Sequence, residues 1–203
     1  MNLELYIQNI CNFLGGIPEN RRNLLNGAVN FIHERMEKRQ AVHLTFICTH
    51  NSRRSHLAQA WCHVAARHYD VANVHAWSGG TEATACNIRT IEALRRAGLP
   101  ITDSTGGENP VYLLEIHSEL EPLRLYSKTY DTVENPQTGY AAMMCCSDVD
   151  ESCPVIFGSE IRIPLHYRDP KESDDSQNES ETYDHRCAEI ATEMFYIMSK
   201  IAG

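Results

Sequence analysis

The chain has 203 residues, 42% of them hydrophobic, and a formal net charge of −9, enough apolar material for one domain with a substantial core. The acidic balance excludes a general binder of nucleic acid or membrane surfaces, and no apolar run approaches the roughly 18 residues that a membrane span needs. Eight cysteines, with Glu4 where a leader would carry basic then apolar residues, read as a cytoplasmic protein that uses some thiols chemically and has no disulfide framework.

Residues 1–40 predict two helices. Leu3, Ile7, Ile10, Cys11 and Leu14 share one face, with Cys11 expected in the core. Gly15-Gly16 breaks that helix, and Pro18-Glu19 suits the start of a second, with an apolar stripe of Leu25, Ala28, Val29, Ile32 and Met36. The expectation is a helical hairpin packed on the main domain, with a homodimer surface as the alternative, and a domain division into 1–40 and 41–203.

Residues 42–47 form a continuous apolar run that reads as a buried strand, and 55–69 carry Leu57, Ala58, Trp61, Ala65 and His68 at helical spacing. Between them stands Cys48-Thr49-His50-Asn51-Ser52-Arg53-Arg54-Ser55: a cysteine at a strand end, a short polar loop, and a helix start. Amides at a helix start are unpaired and partly positive, so such a loop can hold an oxyanion. The same field favours the thiolate of a cysteine placed there. Arg54 can offer a planar fork of donors to two anion oxygens, Arg53 adds local positive charge, and His50 adds more when protonated. Ser55 can donate to the sulfur or cap the helix. An inert buried cysteine beside a surface arginine is the bland alternative, and it leaves so polar a loop unexplained.

Residues 73–78 read as a second strand, Gly79-Gly80-Thr81 as a turn, and 88–97 as a helix ended by Gly98. Strand–loop–helix repeated once is the βαβ pattern, which forces parallel pairing. Residues 111–116 and 123–126 read as strands with a turn over 119–122, a hairpin or flap in which Tyr126 joins Asp103 and Thr105 as candidates to touch a ligand. Residues 141–145 read as another central strand, with Cys145 facing the core. An acidic segment follows, in which six residues separate Cys146 from Cys153, few enough for a disulfide to close after rearrangement. Two incidental cysteines or a zinc site are the alternatives. Zinc would want closely paired ligands from a second cluster, which the ten scattered histidines do not supply, so no metal is expected. A short strand from Ile161 leads into Asp169-Pro170, residues 171–182 read as a polar loop, and 183–201 as a final helix turning Cys187, Ile190, Ala191, Met194, Phe195, Ile197 and Met198 to the core.

The run CTHNSRRS at 48–55 resembles the phosphate loop of the low-molecular-weight protein tyrosine phosphatase family, which includes thioredoxin-coupled arsenate reductases. The run CSDVDESCP at 146–154 resembles the redox segment of those reductases, and the likeness spans about residues 41–200. It implies an α/β three-layer sandwich with a central parallel sheet, here preceded by an N-terminal helical extension. It further implies that Cys48 is the nucleophile, that Thr49, His50, Asn51, Ser52, Arg53, Arg54 and Ser55 form the oxyanion loop, and that Asp169 is the general acid. Ser78, in a turn like the one that buttresses the loop in this family, and Asn51 would support the loop. Cys146 would resolve Cys48, and Cys153 would resolve Cys146. The implied activity is reduction of arsenate to arsenite, with thioredoxin as external reductant and no bound cofactor. One rival is a tyrosine phosphatase hydrolysing aryl phosphate monoesters through a phosphocysteine, since phosphate and arsenate share a geometry. The other is a non-catalytic module that binds a phospho-ligand. Arg53 departs from the reductase pattern, where a smaller residue precedes the arginine. Gln59 stands where some of those enzymes carry a carboxylate linked to a potassium site.

Overall fold

A computed structural model describes residues 2–116, 121–152 and 155–202. Helix α1 (Leu3–Phe13) starts at Asn2, whose side chain accepts from the Glu4 amide at 2.8 Å, so one of the orphan donors of the first turn is satisfied. A 3₁₀ turn over Leu14–Gly16 leads to α2 (Glu19–Glu37). The order then runs β1 (Val42–Cys48), α3 (Arg54–His68), β2 (Val74–Gly80) and α4 (Ile88–Arg96). Three short strands follow, β3 (Ile101–Asp103), β4 (Tyr112–Leu114) and β5 (Leu123–Leu125). The chain closes with β6 (Tyr140–Met144), α5 (Ser147–Ser152), β7 (Ser159–Pro164), a 3₁₀ turn over Pro170–Ser173, and α6 (Glu179–Ser199).

The main sheet has the order β2-β1-β6-β7 and every pairing in it is parallel. Its central strands are near-continuous apolar runs because both faces are covered. In β1 every residue but His43 is buried, and in β6 all of Tyr140–Met144 are. Helices flank this sheet, so the architecture is the α/β sandwich that the resemblance implies, with the N-terminal helical extension in front of it.

That extension packs into the same core. Ile10, Leu25, Ala28, Val29, Phe31 and Ile32 are buried, Tyr6 stacks on Trp61 of α3 with ring centroids 5.3 Å apart, and Arg21 pairs with Glu193 of α6. The apolar stripe is shorter than the pattern suggests. Met36 is exposed, and Cys11 is only half-buried, its sulfur 3.7 Å from the Tyr69 hydroxyl.

The expected hairpin exists as β4 and β5, antiparallel, with Tyr112 opposite Leu125. Half of its expected turn over 119–122, residues 119 and 120, lies outside the described residues. Strand β3 pairs with β4 and was not expected, since three residues with one buried leave no period to read. Gly79 and Gly80, expected as a turn, instead end β2. A Cβ on Gly79 would lie 2.2 Å from Tyr130 Cα, so only glycine lets the strand run this close to its neighbour. The polar stretch after Cys146 forms the short helix α5, whose first turn holds Asp148 and Asp150 where the helix dipole favours negative charge. Among the described residues no helix is long and apolar enough to cross a membrane.

Candidate active site

Cys48 is the last residue of β1, and the chain curls from it into α3. The curl is possible because Asn51 adopts φ +44°, a left-handed conformation that asparagine tolerates better than most residues. The loop's carbonyls are turned outward and held there. Cys48 O accepts from the Thr81 amide at 3.2 Å, and Thr49 O from the Glu82 amide at 2.9 Å. His50 O accepts from the Ser127 hydroxyl at 2.8 Å, and Ser52 O from the Asn87 amide at 3.0 Å. With those oxygens facing out, the amides of Thr49 to Arg53 face the other way and meet no acceptor among the described residues. This is the nest an oxyanion fills. Gly80 is indispensable to it: a Cβ there would lie 2.6 Å from Thr49 O and 2.7 Å from Asn51 N.

The Asn51 side chain ties the loop to its surroundings. Its Oδ1 accepts from the Lys128 amide at 2.9 Å, which leaves Nδ2 to donate to Ser55 Oγ at 2.8 Å. The Ser55 hydroxyl lies 3.0 Å from Cys48 Sγ, and its O–H is free to donate to that sulfur when it is a thiolate.

Arg54 is buried at the start of α3. Its Nη2 donates to Asp169 Oδ2 at 2.7 Å and its Nη1 to Tyr167 O at 3.0 Å, while Nε is buried with no partner. Asp169 also accepts from the Lys171 amide at 3.0 Å and so caps the 3₁₀ turn that begins at Pro170. The Asp-Pro pair is therefore both a turn signal and a carboxylate laid on the loop arginine. Arg53 points elsewhere: its Nε donates to the Tyr183 hydroxyl at 2.6 Å and its Nη2 to Asp174 at 2.7 Å. His50 is half-exposed, with Nε2 3.7 Å from Glu82. Thr49 Oγ1 lies 3.7 Å from Cys146 Sγ, so the second thiol is buried against the loop. Cys153 lies outside the described residues. The cysteines that are described are all free thiols.

Ser78 sits one layer below. Its Oγ is 3.4 Å from His56 Nδ1, and its carbonyl accepts from Asn135 Nδ2 at 3.0 Å. Burial, aided by the Lys128 charge, pushes the His56 pKa down to about 3, so that ring is neutral. Burial also lowers Lys128 to about 8. The three ligand candidates of the middle region have structural partners instead. Asp103 pairs with Arg95 at 2.7 Å, Thr105 Oγ1 accepts from the Val111 amide at 2.9 Å, and the Tyr126 hydroxyl donates to Glu134. Among the described residues no group of three His, Cys, Asp or Glu side chains is placed to hold a metal ion.

Several supports of the loop carry no sequence signal. Ser127 and Lys128 approach from a segment without periodicity, and Asn109 fixes Ser127 through its amide and carbonyl at 3.0 and 2.8 Å. Asp174 and Tyr183, which hold Arg53, lie over a hundred residues from it. Gly80 could have been found, since paired glycines after a strand mark a close backbone approach.

The fold is that of the low-molecular-weight phosphatases. No family model matches the chain. In sequence it is 29% identical over 126 residues to arsenate reductase 2 of Staphylococcus epidermidis RP62A, spanning 62% of this chain and 76% of that protein. The arsenate reductase of S. epidermidis ATCC 12228 matches to the same extent. In structure it is similar to a mutant of YwlE from Bacillus subtilis, with a TM-score of 0.52 and 13% identity over 80% of this chain and all of that one. The low-molecular-weight protein tyrosine phosphatase of T. tengcongensis gives a TM-score of 0.50 and 14% identity over 79% and 97%. The sequence relatives are named as arsenate reductases, and the structural ones share the fold of a low-molecular-weight phosphatase.

Proposed function

We propose that the chain reduces arsenate to arsenite. One observation carries this beyond the loop itself: Cys146, a second thiol, lies buried against Thr49 of the oxyanion loop, 3.7 Å from its hydroxyl. The sequence relatives named arsenate reductase support the same reading.

Arsenate enters the nest of amides between Thr49 and Arg53 and takes up the unpartnered Nε of Arg54. The anion competes with Asp169 for the guanidinium, and the carboxyl it displaces takes up a proton. Cys48 sulfur attacks arsenic, a sulfur–arsenic bond forms, and Asp169 protonates the departing oxygen, which leaves as water. Cys146 then attacks Cys48 sulfur. The sulfur–arsenic bond breaks, its electron pair stays on arsenic, and arsenite leaves behind a Cys48–Cys146 disulfide. Cys153 attacks Cys146, frees Cys48, and presents a Cys146–Cys153 disulfide to the dithiol of thioredoxin, which is oxidised in turn. The helix α5 joins the two resolving cysteines and unwinds for the last exchange.

A second reading has an observation of its own. Asp169 on Arg54 is equally placed to protonate the leaving oxygen of a phosphate monoester, with water then releasing phosphate from Cys48. The deciding measurement is arsenate-dependent NADPH oxidation with thioredoxin and its reductase. The wild type turns over, and Cys146→Ser loses that turnover while keeping aryl phosphate hydrolysis. Arsenate turnover surviving in Cys146→Ser, or absent from a wild type that hydrolyses aryl phosphate, sinks the reductase.

A further inference from the structure

Cys145 has no part in that relay, yet it stands beside Cys48. The register of β1 and β6 pairs Phe46 with Met143 and Ile47 with Met144. The ladder runs one bond further, from the Cys145 amide to Ile47 O at 2.7 Å. Continued one residue beyond the end of β6, that register sets Cys145 beside Cys48. Register neighbours on adjacent strands project from the same face, with backbones about 4.8 Å apart. That falls inside the roughly 4.4–6.8 Å between Cα atoms that a disulfide spans. Cys146, one residue on, lies past the ladder and against Thr49.

The electrostatics give the pair an order of events. Cys145 is fully buried, and burial raises its pKa; charge on Cys48 raises it further, while Arg54 lowers it. As long as Cys48 is an anion, Cys145 stays protonated and inert. Once Cys48 becomes a neutral sulfenic acid, the repulsion is gone and the pull of Arg54 remains.

We propose that Cys145 captures Cys48 after oxidation by a peroxide and closes a reversible Cys48–Cys145 disulfide across β1 and β6. The Cys48 thiolate attacks hydrogen peroxide, giving sulfenic acid and hydroxide; the sulfur is oxidised by two electrons and the peroxide reduced by two. Cys145 sulfur then attacks Cys48 sulfur, and the sulfenic oxygen leaves as water with the Cys145 proton. A small dithiol restores both thiols by two exchanges and is itself oxidised. The bridge shields the nucleophile from the irreversible step to sulfinic acid. This rests on Cys48 being the loop nucleophile and is independent of arsenate as substrate.

The test uses Cys146→Ser/Cys153→Ser, which leaves Cys145 as the sole neighbouring thiol on that segment. Aryl phosphate hydrolysis before treatment reports separately on the loop. After hydrogen peroxide, unreduced digestion and fragmentation should show Cys48 linked to Cys145, and hydrolysis should fall more than tenfold and return with dithiothreitol. Adding Cys145→Ala should give no link, two oxygens on Cys48, and no return, each protein being compared with its own untreated sample. Sulfinic acid on Cys48 in the double variant, or equal recovery with and without Cys145, overturns the proposal. Mapping in the double variant decides the matter even if the triple variant does not fold.

Discussion

The two cysteine-bearing segments are built on opposite principles. Around Cys48 the carbonyls are bonded outward to Thr81, Glu82, Ser127 and Asn87, Asn51 is wholly buried, and Gly80 admits no side chain. After Cys146 the chain is a six-residue helix rich in acids, and the Asp150 carboxylate is tied to Arg162 of β7 and to His166 just past it. A nucleophile's nest must be rigid before the anion arrives, because reorganisation at the moment of reaction is a barrier. A relay thiol must travel, and a short polar helix opens at low cost.

That contrast makes the rigid side the more sensitive. In the proposed mechanism Asp169 is the proton donor, so Asp169→Asn should lower kcat by about 10²- to 10⁴-fold. The loss should grow as the leaving group of the aryl phosphate becomes more basic. A loss equal for all leaving groups would mean that Asp169 only positions Arg54. Gly80→Ala drives a Cβ into Thr49 O and Asn51 N, so we expect a destabilisation of about 1–3 kcal/mol in denaturant melts. Misplacement of the loop should add a roughly 10²-fold loss of kcat/KM. A fully active, fully stable alanine variant would show the loop to be softer than its contacts imply.

His56 makes the rigid side acid-sensitive. Burial, with help from Lys128, holds its folded pKa near 3, below its ordinary value. A depressed histidine contributes stability that is complete above the unfolded pKa and declines as pH falls from there toward the folded one. Unfolding free energy should therefore drop by about 1 kcal/mol per pH unit below roughly pH 6.5, and His56→Gln should flatten that slope. An unchanged slope would assign the acid sensitivity to another group.

The smallest effect belongs to the side of the second thiol. Burial would raise the Asp150 pKa, but Arg162 and His166 outweigh it and hold the carboxyl below its usual range. This tie is complete above the ordinary carboxylate pKa and is lost as pH falls through the lowered one. Asp150→Asn at neutral pH should speed amide exchange across 147–152 by about three- to fivefold, the worth of a partly exposed ion pair. Slower exchange would show that the pair does not hold the helix closed.

Local chemistry was readable wherever it came from neighbours in the chain. The apolar run before Cys48, the polar loop, the helix spacing after it and the Asp169-Pro170 step are all short-range patterns, and each marks an element or a turn by itself. The parallel sheet followed from strands separated by helices. What the sequence could not show is contact between distant residues. That Ser127 caps His50 O, that Arg53 turns away to Asp174 and Tyr183, that Asp169 reaches Arg54, and that the Cys145 amide bonds to Ile47 O depend on how the strands align. Side-chain identity and spacing set local conformation through sterics and hydrogen bonds within a few residues. The meeting of β1 with β6, and of α3 with the chain near Asp169, is decided by burial of the whole core, to which every element contributes and which no single stretch encodes.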